Sequence, residues 1–180
     1  VITVSIVGSE LLQTPELTVA GNSVTDETPG GTNAIWTGTY TMQNTDSDGL
    51  IGLSLDYKDY AGNSGTTVTA TSDGSQVTFD RTVPIITIAT LASNNTYSNR
   101  KAKVGDIVTL TIVASENIID APTVTMGTLA GMTGVTPTGS GINWSATYAI
   151  QDGDTEENLR FTFAFSDLAA NAGSTINATT

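Results

Sequence analysis

The 180-residue chain contains one pattern twice, and that duplication limits its fold more than any other feature. WTGTYTMQNTDSDG, beginning at Trp36, aligns with WSATYAIQDGDTEE, beginning at Trp144, at an offset of 108 residues. YKDYAGNSGTTVTAT aligns with FSDLAANAGSTINATT, Asp59 over Asp167, at the same offset. Two separated blocks in one register mean a duplicated structural unit. ITVSIVGSE, ending at Glu10, aligns with VTLTIVASE, ending at Glu116, at an offset of 106, which amounts to one change of loop length. The period is therefore near 108 residues, and the chain holds less than two periods. On this alignment Pro84 to Gly105 maps ahead of Val1, and DGSQVTFDRT (73–82) maps beyond Thr180. The first repeat is expected to lack its opening strand and the second its closing strand. The boundary is expected where Thr-Val-Pro ends one strand and IITIATL begins, giving repeats over 1–82 and 83–180.

ITVSIV, VTLTIV, TVTM, WTGTYTM, WSATYAI, LRFTFAF and GTTVTAT alternate apolar and polar residues and are rich in β-branched and aromatic side chains, which suits half-buried strands. Gly, Asn, Asp and Ser clusters such as 44–49 and 139–143 supply the turns between them. About seven short strands per repeat, with no long helical pattern, predict an all-β chain of two tandem immunoglobulin-like β-sandwiches, antiparallel and without a disulfide. Trp36 and Trp144, with Tyr40 and Tyr148, are the expected aromatic anchors of the two cores.

Eighteen acidic residues against six basic ones give a net charge of −12, which repels nucleic acid phosphates and anionic lipid. With no Cys and no His, disulfides, thiol nucleophiles, imidazole bases and histidine or thiolate zinc sites are excluded. The chain has no apolar run of about 18 residues and no basic segment before its first apolar run, so no membrane insertion is expected and any secretion signal is expected outside this sequence. Acids are abundant enough for a carboxylate-pair hydrolase, but they sit in turn-like segments and recur in both repeats. That suits architecture better than one active site, and no enzyme is expected.

VGDIVTLTIVASENI, the W-x-A/G-T-Y strand, the D-x-A-G/A-N turn and the FDRTVP hinge resemble the bacterial immunoglobulin-like repeats of large surface adhesins and extracellular fibre proteins. The resemblance covers nearly all of the chain. It implies display at the cell surface, a stalk or adhesive role, neighbouring repeats or identical subunits as partners, and Ca²⁺ at the junctions between repeats. In a sandwich of this kind the loop after the second strand, the loop before the last strand and the incoming linker meet at one pole. Asp80, Glu116, Asp167 and Asn171, with Asp120 further along, are therefore the candidate oxygen ligands, and Asp46 and Asp48 would approach from the other side of the hinge. Glu10 and Asp59 would form a partial equivalent. The same segments, Asp59 to Asn63 and Asp167 to Asn171, read equally as Asx-stabilised turns, and the sequence leaves both readings open.

Other roles follow from particular residues. A repeat without its opening strand presents an unpaired edge, which a neighbouring chain could fill to build a polymeric filament by strand donation. Tyr57, Tyr60 and Tyr97 would make a carbohydrate-binding module, with host or surface glycans as partners, if several were exposed on one face. Lys58, Lys101 and Lys103 raise the chemistry of a Lys–Asn cross-link, which needs a buried Lys. Asn94, Asn143 and Asn177 stand in N-x-S/T sequons.

Overall fold

A computed structural model of the chain describes residues 1–25, 28–29, 33–119, 122–128 and 131–177. Among these residues the protein is all-β, its ladders are antiparallel and there is no helix. Packing divides the chain into two compact units, Val1–Asp80 and Arg81–Thr180.

The first unit contains β1 (Ile2–Val7), β2 (Glu16–Val19), β3 (Asn22–Ser23), β4 (Thr28–Pro29), β5 (Ile35–Tyr40), β6 (Gly49–Leu50), β7 (Leu53–Asp56) and β8 (Thr78–Phe79). β5 lies between β1 and β4, β2 lies between β3 and β7, and β6 pairs with β8. β2 and β3 are joined by the two residues Ala20 and Gly21, with φ of 53° and 78°. That left-handed pair gives the turn whose twist matches a tight hairpin. The core gathers Ile6, Leu17, Val19, Trp36 and Leu55.

The second unit contains β9 (Ile86–Ser93), β10 (Ile107–Ala114), β11 (Thr123–Thr128), β12 (Gly131–Val135), β13 (Thr138–Ser140), β14 (Asn143–Ala149) and β15 (Arg160–Ala164). One sheet runs β13-β14-β10-β9 and the other β12-β11-β15. Lettered in chain order with β12 as C′, the first sheet reads D-E-B-A and the second C′-C-F, the strand arrangement of an immunoglobulin-like sandwich. The period-2 pattern turns Val108, Leu110, Ile112 and Ala114 of β10 inward, and the same alternation on β14 buries Trp144, Ala146 and Tyr148. Val124 and Met126 of β11 and Phe161 and Phe163 of β15 close the core from the other sheet. Each large side chain removed from water in this way contributes roughly 1.5–3 kcal/mol.

The repetition extends to single bonds. Trp36 Nε1–H donates to the Asn33 carbonyl at 2.9 Å, and Trp144 Nε1–H to the Gly141 carbonyl at 3.0 Å, 108 residues on. The bridges Leu55↔Val68 and Lys58↔Ser64 recur as Phe163↔Ile176 and Ser166↔Ala172. Gly65 lies under the Tyr57 ring and Gly173 under the Phe165 ring, so closely that a Cβ on either glycine would come within 2.2 Å of an aromatic carbon. One expected strand is not continuous: GTTVTAT, 65–71, pairs through an isolated bridge at Val68 and one bond from the Gly65 N–H to the Tyr57 carbonyl, and its residues 65–70 are all exposed. Alternation there has no buried face to serve, so it does not hold a full ladder.

Candidate functional site

In the second unit, the loop after β10 and the turn after β15 are brought together by an isolated bridge between Ile118 and Asp167 and by the Ile119 N–H, which donates to the Ser166 carbonyl at 2.8 Å. The chain entering the unit is fixed beside them. The Ile85 N–H donates to Ser115 Oγ at 3.0 Å, the Ser115 N–H donates back to the Ile85 carbonyl at 2.8 Å, and Pro84 is fully buried. Ser115 precedes Glu116, so that acid is delivered by backbone that these bonds hold.

Asp167 is 1% exposed. Its Oδ1 accepts the backbone N–H groups of Ala169 and Asn171, both at 2.8 Å, and its Oδ2 accepts the Asn171 side-chain amide at 2.8 Å. Three donors on a buried carboxylate hold it oriented, which is an Asx-type turn. Ala170 completes the turn at φ 71°, a left-handed conformation that a residue with a Cβ adopts only under constraint. Asn171, an expected ligand, uses its side-chain N–H as a donor to this turn.

Asp80, Glu116 and Asp167 offer carboxylate oxygens that all lie within 4.8 Å of one another, with the first two half-buried and the third buried. The donor set fits a hard cation. Two oxygens on opposite sides of one Ca²⁺ stand about 4.6–5.2 Å apart, given Ca–O distances of about 2.3–2.6 Å, and every pair in this group falls inside that limit.

The remaining expected ligands lie elsewhere in the structure. Asp46 is buried in the first unit, where Tyr40 Oη–H donates to its two oxygens at 3.1 and 3.0 Å, the Gln43 N–H donates at 2.7 Å and Asn22 Nδ2–H at 3.0 Å. That arrangement repeats in the second unit: Tyr148 donates to Asp154 at 2.9 and 3.1 Å, and the Gln151 N–H donates at 2.7 Å. In both, burial and then the neighbouring carboxylate push the tyrosine pKa up. Asp46 therefore serves as a loop bracket, and neither it nor Asp48 belongs to the three-carboxylate group. Asp120 lies outside the described residues. The bracket is a functional unit that sequence reasoning missed, although its signal was present as Tyr-x-x-Gln-x-x-Asp at positions 40, 43, 46 and again at 148, 151, 154.

At the equivalent pole of the first unit, Asp59 accepts the Asn63 N–H at 2.8 Å and the Asn63 side-chain amide at 2.7 Å. Those two bonds, the side-chain one first, hold its pKa below the ordinary carboxylate range. Glu10 is exposed, and among the described residues no third acid joins Glu10 and Asp59. Of the three tyrosines, Tyr57 packs on Gly65, Tyr60 accepts a hydrogen bond from Asn33 Nδ2, and Tyr97 of the second unit is almost wholly exposed. Lys58, Lys101 and Lys103 are all exposed, so none has the burial that a Lys–Asn cross-link needs. No protein-family model and no characterised protein matches the chain.

Proposed function

We propose that this chain is a structural and adhesive repeat module of an extracellular stalk or fibre, in which Ca²⁺ held by Asp80, Glu116 and Asp167 stiffens the passage from one repeat into the next. The observation that carries the reading is the use made of the acids. Asp46, Asp154, Asp59 and Asp167 each bind their own loop, in the same way in both units, as expected of a module multiplied for reach rather than shaped around one substrate. Around Asp167 the acids go further, since Asp80 and Glu116 beside it gather more negative charge than a turn requires. In the exported, calcium-rich setting that this reading assigns to the protein, a divalent cation is the natural counter-charge. The resemblance of the FDRTVP hinge and the D-x-A-G/A-N turn to surface-adhesin repeats supports the same role.

Calorimetric titration tests it. One Ca²⁺ per chain should bind, with Mg²⁺ much weaker because it needs shorter, near-octahedral coordination. Glu116→Gln and Asp80→Asn should abolish binding, while Asp46→Asn should leave it intact. Absence of any Ca²⁺ heat, or equal loss in the Asp46 variant, would overturn the calcium part of the reading.

A further inference from the structure

Positive charge is scarce in this chain, and half of it stands in one loop. Of six basic residues, Arg100, Lys101 and Lys103 fall in the connection between β9 and β10, residues 94–106, which holds no acid before Asp106. All three are exposed. Tyr97 of the same loop is 98% exposed, the most of any large apolar side chain among the described residues.

The loop is held in one shape by its own bonds. Asn94 Oδ1 accepts the Ile107 N–H at 2.8 Å, and the Asn94 N–H donates to the Ile107 carbonyl at 3.0 Å, which closes the base. Asn95 Oδ1 accepts the N–H groups of Tyr97 and Ser98 at 3.1 and 3.3 Å, and Asn95 Nδ2–H donates to Asp106 at 2.8 Å. Asp106 also accepts the Lys103 N–H at 2.9 Å, and the Lys101 carbonyl accepts the Ser93 hydroxyl. The loop's one acid is thus spent on holding the loop, and the backbone that carries Tyr97, Arg100 and Lys101 is fixed before any partner arrives. Little ordering entropy is left to lose on binding.

The side chains and their surroundings define the partner. A tyrosine offers a flat apolar face with a polar tip, and a guanidinium and an ammonium nearby pair with carboxylates. That combination matches a sugar ring bearing a carboxylate. The adjoining loop is joined to this one where the Gly105 N–H donates to the Ile150 carbonyl at 3.0 Å and the Ile150 N–H to the Asp106 carbonyl at 2.9 Å, and it carries exposed Asp152, Glu156 and Glu157. With a net charge of −12, these acids repel a continuous anionic surface such as a phospholipid bilayer or nucleic acid. A polymer whose carboxylates are spaced by neutral rings can meet the basic loop without crowding them.

We infer that the 94–106 loop binds an acidic polysaccharide of the uronic-acid class, with a sugar ring resting on Tyr97 and its carboxylate paired with Arg100 and Lys101. Such binding is the adhesive half of the role proposed above, on which it rests, and it makes no use of the cation.

The test titrates the full chain, in EDTA at low salt, with a hyaluronate octasaccharide, in which carboxylate-bearing rings alternate with neutral ones. Binding should saturate, should shift the backbone amides of residues 95–103, and should weaken as NaCl is raised. Tyr97→Ala and the double variant Arg100→Ala/Lys101→Ala should each weaken it at least ~5-fold, as loss of an exposed contact allows. Lys58→Ala, which removes an exposed lysine of the first unit, should leave it unchanged. The same octasaccharide with its carboxylates methyl-esterified should bind at least ~5-fold more weakly. No saturable binding, equal binding of the methyl ester, or losses no larger than that of Lys58→Ala would overturn the inference. So would tighter binding to vesicles of anionic phospholipid than to the sugar. Because EDTA is present throughout, failure here is distinct from failure of the calcium titration.

Discussion

Asp167 and Asp59 hold Asn171 and Asn63 through the same pair of hydrogen bonds, yet Asp167 is 1% exposed and Asp59 is half-buried at the rim of an open groove. The turns are equal because they are local, made by an Asp and an Asn four residues apart. The surroundings differ because they are tertiary: in the second unit Pro84 is buried and Ile85 is bonded to Ser115 of the neighbouring loop, and no equivalent segment does this in the first unit among the described residues. The comparison separates what a repeat makes for itself from what a neighbouring strand must bring.

The largest effects should come from the paired core positions. Ile112→Ala removes a side chain enclosed between β9, β14 and the facing sheet and should cost the second unit about 3–5 kcal/mol in denaturant unfolding. Ile6→Ala, beside the groove, should cost the first unit nearer ~2 kcal/mol, since its surroundings can collapse into open space. Equal losses would break the comparison.

The paired glycines sharpen it next. Gly173→Ala forces the buried Phe165 ring to move within a packed core and should destabilise by about 2–3 kcal/mol, whereas Gly65→Ala meets Tyr57, which can swing into the groove, for about 1 kcal/mol. Thermal melts of both variants check this. At the tip of the turns, Ala170→Gly should stabilise by up to about 1 kcal/mol and Gly62→Ala should lose a similar amount, because both positions have positive φ, 71° and 91°.

The smallest effect is on pH dependence. The depressed pKa of Asp59 means that its turn contributes stability above the unfolded carboxylate value of about 3.9, and that this is lost as pH falls through the lower folded value. Melting of the first unit followed from pH 6 to pH 2 should drop less steeply in Asp59→Asn than in the parent chain.

Much of this was legible in the sequence, for particular reasons. Trp36 and Trp144 are both 5% exposed, and strands such as 2–7 and 143–149 follow their alternation because one face of each is buried. The short strands β3 and β6 carried no signal, since two residues cannot show a period, and of the closing strand expected within DGSQVTFDRT only Thr78–Phe79 forms. GTTVTAT carried the signal without the ladder, because alternation describes a surface and does not supply a partner. Asp46 and Asp48 stand two residues apart in one polar loop, and it is the tertiary donors Tyr40 and Asn22, with the Gln43 N–H of the loop itself, that turn Asp46 inward. Asp80, Glu116 and Asp167 were grouped by expecting the linker and two loops to share a pole, an expectation that comes from strand order and not from local pattern, and their oxygens lie within 4.8 Å of one another.

The most direct test of the account is calorimetric unfolding in EDTA and in millimolar CaCl₂, with the two transitions assigned by Ile6→Ala and Ile112→Ala. A cation that binds only the folded state at about 100 times its Kd stabilises by ~2.7 kcal/mol, which moves the midpoint of a unit of ~100 residues by upwards of about 10 °C. The account predicts that Ca²⁺ raises the transition of the second unit and leaves that of the first in place, and that Glu116→Gln removes the rise. A rise shared equally by both transitions, or no rise in either, would contradict it.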